Sequence, residues 1–577
     1  MYYKQIYLNI IKIKYKIMIA VCENNLLRYL NNNNNKMNTM RIKLRAAPVA
    51  TIITSLLLSG CYKDGFTISD VVIKPIPKPE PLPKPESVLI SPSPLMEETW
   101  NADRGFIDFF SPQTDSEVDR YYPKTTSVAY RWNWAQIEPN EGVYDFTIIE
   151  NAIEQAKQAG KKISFRIMAQ GYDNDWGTQS DLPSWLTNQI GKFKIDSVGN
   201  HWVADYSDIT FQQKYSDLFR ALAQRFDGSE DIIHIDVGAV GMHGSWSFNS
   251  NPLTNYKDLF NDFNNIKQIP VIAKSHFKKT PIITSLETGA EQFLLSGISA
   301  GTGWRADCLG GIYGSKDIVN DVYKPLIANL NNTTPEFSQA WRKAPVVMQV
   351  CGGFPYWKTS GITTEDAKAY FDFALKHHVS SIMFTGNEVP EIYRDIVKSA
   401  STHMGYRIEL LSASILDNIP SMQSDYTIDT TWANTGSAPY YKSARLSFRI
   451  KDVNGNLITG KSTSLDANEI QPAEIYEAGT IEYRNNTTLQ LRNLEPDSEY
   501  KLEAAFIKID GSPAFTISSD LENNDNWMTI SKFKTKSNKY KTIGFVWHLG
   551  QSLFFSDFII LKHVICITKF NIFLLVT

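Results

Sequence analysis

The sequence predicts an α/β chain in which a (β/α)8 barrel is followed by an all-β sandwich. Three observations carry this. Between about Trp100 and His403, eight apolar runs alternate with amphipathic stretches, the pattern of parallel strands buried on both faces by helices. Near the middle of that series, the run 232–237 (IIHIDV) opens into a loop broken by Gly238, Gly241 and Gly244, which carries His243, Trp246 and Asn249. Polar and aromatic groups at the C-terminal end of a buried strand are where such a barrel keeps its site. Beyond His403 the chain turns to short segments alternating apolar with polar, punctuated by turn clusters such as Asn454-Gly455 and Asp510-Gly511. That is the signature of an antiparallel sandwich.

In chain order, residues 1–36 are rich in Ile, Tyr, Lys and Asn, end in the run Asn31–Asn35, and match no fold pattern; they are read as an extension outside the structure. Residues 37–60 read as a signal peptide: a basic start (Arg41, Lys43, Arg45), an apolar stretch to Leu58, then Ser59-Gly60-Cys61. A small pair directly before a lone Cys resembles the bacterial lipoprotein signal, which implies acylation of Cys61 and a lipid anchor in the cell envelope, at the outer membrane or cell surface. The alternatives are a plain secretory signal and a short membrane helix. Residues 61–94, with KPIPKPEPLPKPE at their centre, are a Pro-rich linker, since Pro at alternate positions forbids a helix and favours an extended spacer.

The barrel is assigned to 95–404, with strands at 105–110, 127–132, 162–168, 232–237, 281–286, near 308–313, and at 344–350 and 380–384. Helices are expected at 147–159, 211–226, 255–266, 317–330, 364–376 and 390–400. A doubly wound sheet is the alternative, but no GxGxxG turn follows the first strand. The sandwich is assigned to 405–538, with strands at 407–414, 425–431, 444–451, 479–484, 488–491, 501–507 and 528–535. Residues 539–577 are apolar but broken by His548, Lys562, His563 and Lys569, so no window reaches the roughly 20 residues a membrane span requires.

Composition narrows the function. The 577 residues are 43% hydrophobic and carry a formal net charge of −3, which offers no electrostatic footprint for nucleic acid. Five Cys make no disulfide framework. Cys308 and Cys351 fall on neighbouring strands, where two buried thiols are favoured over a disulfide. No HxH, HExxH or carboxylate cluster has metal-ligand spacing, so no metal or other cofactor is expected.

The stretch 129–146, AYRWNWAQIEPNEGVYDF, resembles the second-strand signature of retaining glycoside hydrolase barrels. Together with Gly303-Trp304-Arg305-Ala306-Asp307-Cys308, Met404-Gly405-Tyr406-Arg407 and Trp432-Ala433-Asn434-Thr435-Gly436-Ser437-Ala438-Pro439, it resembles a bacterial family catalogued as domain of unknown function 4832. That resemblance covers most of residues 100–535. It implies a barrel of glycoside hydrolase type plus a sandwich, often on a lipoprotein, with a carbohydrate as partner.

Retaining glycosidases need two carboxyl groups about 5–5.5 Å apart, which barrels of this superfamily supply from strands four and seven. The resembled family often reads G-x-x-G-E-W at strand four; here Gly241-Met242-His243-Gly244-Ser245-Trp246 puts Ser245 where Glu is expected, and Gln349 stands at strand seven. Neither side chain can act as acid or nucleophile there. The remaining catalytic candidates are Glu287, after strand five, and Asp307, at strand six. For Asp307 an ion pair with Arg305 or Arg166 that braces the mouth is favoured over catalysis; for Glu287 a binding or structural role stands equal. Glu138 and Glu141 read as turn chemistry. Arg131, Arg166, Arg305, His243, Gln349 and Asn387 are candidates to hydrogen-bond sugar hydroxyls, and Trp132, Trp134, Trp246 and Trp304 to stack on sugar faces. Core packing is the standing alternative for each Trp. Three functions stay open: an atypical hydrolase, a glycan-binding protein without catalysis, and a structural envelope protein.

Overall fold

A computed structural model describes residues 85–95, 97, 99–113, 123–170, 181–194, 202–246, 263–310, 317–386, 388–476, 478–492 and 494–537. The signal segment, Cys61, Asn387 and residues 539–577 lie outside them. Among the described residues no helix is long and apolar enough to cross a membrane.

Eight parallel strands close into a barrel in sequence order: Gly105–Phe109, Thr125–Asn133, Lys162–Met168, Ile232–Asp236, Ile282–Ser285, Gly303–Leu309, Val346–Val350 and Val379–Met383. The seventh strand pairs with the sixth and the eighth with the first, so no edge is left. Six of the eight strands send one apolar side chain each into a shared interior cluster: Ile107, Ala129, Ile233, Ile283, Val347 and Met383. Outside, helices such as Ile209–Phe226 and Thr364–Lys376 bury one apolar face against the strands. Thr363 and Asp366 cap the second of these reciprocally, which fixes where it starts.

The sixth strand is shifted from its expected position. It runs from Gly303, not from near Cys308, because Arg305 and Asp307 interrupt the apolar run that marks a buried strand. Gly303 permits this register: a Cβ there would overlap the Pro345 carbonyl oxygen of the neighbouring segment. Of the helix expected at 255–266, Phe263–Ile266 is described, and a second helix, Gln268–His276, follows it.

The sandwich packs two sheets over one apolar core that includes Trp432, Phe448, Phe506 and Phe533. One sheet has the order Glu86–Ile90, Ile408–Asp417, Asp425–Asn434, Tyr483–Gln490. The other runs Ile419–Pro420, Trp527–Lys536, Glu499–Ile507, Arg445–Asp452, Leu457–Asp466. Three details differ from the expectation. The end of the Pro-rich linker is not all spacer, since Glu86–Ile90 pairs antiparallel with Asp417–Ala413 as an edge strand. The segments 479–484 and 488–491 are one strand, Tyr483–Gln490, whose solvent face (Arg484, Asn486) hides the alternation. The strand Leu457–Asp466 was not expected, because an exposed edge strand of Gly, Lys, Ser and Thr carries no apolar signal.

Barrel and sandwich are riveted by the motif residues. Asn434 Oδ1 accepts from the backbone N–H groups of Arg407 (2.9 Å) and Gly436 (3.0 Å), and its Nδ2 donates to the carbonyls of Ala438 (2.9 Å) and Ile470 (3.2 Å). Ser437 Oγ accepts from the Gly405 N–H at 2.9 Å and donates to the Val379 carbonyl of the eighth barrel strand at 2.7 Å. Buried Arg104 donates to the carbonyls of Thr99, Ser401, Thr402 and Met404. These groups are all buried, so each backbone polar atom that enters the junction finds a partner. At the foot of the barrel, burial would raise the pKa of Asp103, but Lys162 (2.9 Å) and Lys442 (3.3 Å) hold it low. Nearby His234 is buried and its pKa is lowered to about 4 by desolvation, so it is neutral at pH 7.

Candidate functional site

Toward the C-terminal ends of the strands, polar side chains gather beside the apolar cluster. Register places Arg131 of the second strand beside Arg166 of the third, and Arg166 beside Asp236 of the fourth. Arg305 of the sixth lies beside Ser285 of the fifth and Val347 of the seventh. Asp236 is the hub. Its Oδ2 accepts from Arg166 Nε at 2.8 Å and from Arg166 Nη2, and forms an ion pair with Arg305 Nε at 2.8 Å. Arg305 continues the chain through Nη1 to Asp307 Oδ1 and through Nη2 to Ser285 Oγ at 3.4 Å. Arg166 Nη1 donates to the His243 carbonyl at 2.7 Å.

Burial sets the electrostatics. Removing Asp236 from water would raise its pKa, yet the Arg166 and Arg305 guanidinium groups outweigh this and hold it below the usual range. Arg305 is pulled down to about 9, by burial first and then by the Arg166 charge, with Asp236 opposing; it remains charged at pH 7. A carboxylate locked between two cations is a poor proton donor.

Across the lumen, Arg131 Nη2 donates to Gln349 Oε1 at 3.0 Å, and the Arg131 guanidinium lies 4.8 Å from the Phe109 ring centroid. Arg131, Gln349, Glu287, Asp307 and His243 are half-buried at this end of the barrel. Tyr323 lies near both Glu287 and Arg305; burial first, then the Glu287 charge, raises its pKa. His243 sits in the turn Met242–Gly244 with φ of 56°, and Gly244 is required beside it, since a Cβ there would overlap the Gly238 carbonyl.

The tryptophans are placed otherwise than expected for sugar platforms. Trp132 (7% exposed) stacks on Tyr130 at 5.3 Å, Trp246 (0%) packs on Phe293 and donates to the Val237 carbonyl, and Trp304 (3%) packs on Phe337. Trp134 (1%) donates to Glu138 Oε2 at 2.8 Å. All four are packed into the buried cores; strand alternation turns Trp132 and Trp304 away from the lumen, while Trp134 opens the short helix Trp134–Ile137 and Trp246 follows the turn Met242–Gly244. Glu138 also accepts from the Gly142 N–H at 2.9 Å, so the EP–NEG stretch is held as a turn.

Two features went unread in the sequence. The first is Asp236, whose sign as a hub is an Asp in a strand buried along its whole length, with arginines at the matching level of the third and sixth. Cys308 and Cys351 form a disulfide, not two thiols. It ties the sixth strand to the residue after the seventh, next to Asp307 and Gln349. Replacing both Cys by Ser is expected to lower stability by about 2–4 kcal/mol, read as an earlier thermal transition that matches the wild type under reducing agent.

Residues 123–269 match the beta-galactosidase family Glyco_hydro_42. No curated protein matches the chain. Among solved structures, the catalytic domain of beta-amylase from Paenibacillus polymyxa is similar at 11% identity and a TM-score of 0.36, covering 52% of this chain and 99% of that one. A glycosylated endo-beta-1,4-xylanase of glycoside hydrolase family 10 from Gloeophyllum trabeum gives 11% and 0.32, covering 53% and 99%. A GH5_18 protein from Bifidobacterium longum subsp. infantis gives 10% and 0.32, covering 53% and 74%. These three are too distant to bear on activity. The match over 123–269 makes the barrel glycoside-hydrolase-like.

Proposed function

We propose that this chain is an envelope lipoprotein that binds a carbohydrate at the C-terminal mouth of its barrel and does not cleave it by the usual two-carboxylate route. One observation carries the second half: strand seven offers Gln349, tied to Arg131, while the inward carboxylate of strand four, Asp236, is held ionised between Arg166 and Arg305. A glycosidase acid needs a carboxyl whose pKa is raised, and its partner must be a second carboxylate facing it. The carbohydrate class is supported by the beta-galactosidase family match over 123–269 and by the motifs shared with domain of unknown function 4832. Arg131 and Gln349 are the recognition groups we assign, with His243 on the loop after strand four. The Cys308–Cys351 disulfide supports export, since such bonds persist in oxidising compartments. On this reading Cys61 carries the acyl anchor, and labelling of cells with an alkyne palmitate should mark the wild type and not Cys61→Ala.

A second reading is favoured by Asp307, whose side chain stays 20% exposed beside Arg305: an ionised nucleophile on strand six, with Glu287 of neighbouring strand five as the acid. Binding and hydrolysis measured together on a glycan panel separate the two. With the full chain we expect binding without turnover, weakened about tenfold in Arg131→Ala. Turnover that disappears in Glu287→Gln while binding persists would establish the hydrolase instead. Neither binding nor turnover would leave the structural role.

A further inference from the structure

The outer helices Thr364–Lys376 and Arg394–His403, with residues 434–436, Tyr476 and Gly479 of the sandwich, line a groove of about 600 Å3. It is built from helix surfaces and sandwich residues, not from the C-terminal ends of the barrel strands, so it is separate from the mouth. Its volume is that of a small-ligand cleft. The floor is apolar, formed by Phe371, Leu375 and Ala400. One wall is a half-buried Tyr476 ring meeting the His403 ring edge-on, centroids 6.4 Å apart. His403 Nδ1 must donate to the Ser399 carbonyl at 3.0 Å, since a carbonyl can only accept, which makes Nε2 a lone pair in the neutral ring. Along the rim stand Asp372 and Asp395, and the nearby cation, Lys368, is engaged by Asp372 at 2.6 Å.

An apolar floor, an aromatic wall and a rim rich in acceptors suit a ligand with flat C–H faces, hydroxyl donors and no negative charge. We infer that this groove is a second carbohydrate site, for a neutral oligosaccharide. The inference rests on the proposed carbohydrate reading for its ligand class and on this groove for its place. Two carboxylates against one already paired Lys argue against an anionic sugar.

The test is calorimetric titration of the full chain with cellotetraose, xylotetraose, galactotetraose and maltotetraose, with tetragalacturonate as the charged comparison. It is run on the wild type, Tyr476→Ala, Tyr476→Phe, Asp395→Asn and the mouth variant Arg131→Ala. We expect at least one neutral tetrasaccharide to bind a site that Tyr476→Ala weakens about tenfold, Asp395→Asn several-fold and Tyr476→Phe less than about twofold, and that Arg131→Ala leaves intact. Asp395 is an exposed side chain, so its variant reads the groove even if Tyr476→Ala loosens the fold. Neutral binding unchanged in both Tyr476→Ala and Asp395→Asn, tetragalacturonate preferred at the groove, or no neutral tetrasaccharide bound, would overturn the second site. Binding lost only in Arg131→Ala would overturn the groove and keep the mouth; binding lost only in the groove variants would do the reverse.

Discussion

Asp236→Asn is expected to cost the barrel about 3–5 kcal/mol, the cost of breaking a buried ion pair from one side. The variant keeps the shape of the side chain but leaves Arg166 and Arg305, 2% and 0% exposed, facing each other with no carboxylate between them. Replacing the whole set with apolar residues would be milder, because the penalty comes from the cations left behind. The pH profile gives a second reading. The folded pKa of Asp236 lies below its unfolded value, so the stability it contributes is fully present above the unfolded pKa of about 4 and is lost as the pH falls through the folded one. Thermal melts between pH 7 and pH 2 should therefore fall less steeply at the acid end in Asp236→Asn than in the wild type. A variant as stable as the wild type, with an unchanged acid limb, would mean that the arginines find other partners.

Asn434→Ala is expected to be as damaging, by about 3–5 kcal/mol, without touching the mouth. Four buried backbone groups, the N–H of Arg407 and Gly436 and the C=O of Ala438 and Ile470, lose their partner at once. Each belongs to the junction of barrel and sandwich, so the loss is local to that joint. Chemical denaturation should show a lower midpoint, and a split into two transitions would show that the joint is what couples the two halves. Asn434→Asp tests the geometry: its oxygens still accept from the two N–H groups, but it cannot donate to the two carbonyls and places a charge in a buried joint. Gly436→Ala should act through the same joint by sterics, since its new Cβ would overlap the Gly405 carbonyl oxygen.

The motif residues thus have a physical reading. Met404-Gly405-Tyr406-Arg407 and the Asn434–Pro439 stretch are joint chemistry, and Gly303 sets the sixth strand close to Pro345. They specify how two domains meet, which is why they point to fold more than to activity.

Much of the architecture was legible from the residues. Strand Ile232–Asp236 reads as buried because its apolar residues run on without polar alternation, and helix Thr364–Lys376 reads from its apolar face. Both signals are local: burial on two faces and a 3.6-residue period depend on neighbours in the chain. The strands that escaped notice, Glu86–Ile90 and Leu457–Asp466, are edge strands with exposed faces, where nothing local requires an apolar pattern. The site was legible in its residue types and not in their orientation. The sequence by itself determined that Ser245 and Gln349 stand where the resemblance leads one to expect carboxyl groups, and that Arg131, Arg166, Arg305 and Asp307 stand at strand ends. Only the tertiary structure decided that Trp132, Trp246 and Trp304 turn into the wall, that Asp236 gathers two arginines from strands far apart in sequence, and that Cys308 meets Cys351. The reason is that which face a strand residue takes, and which residue it meets across the barrel, follow from register and closure, and these are properties of the assembled sheet.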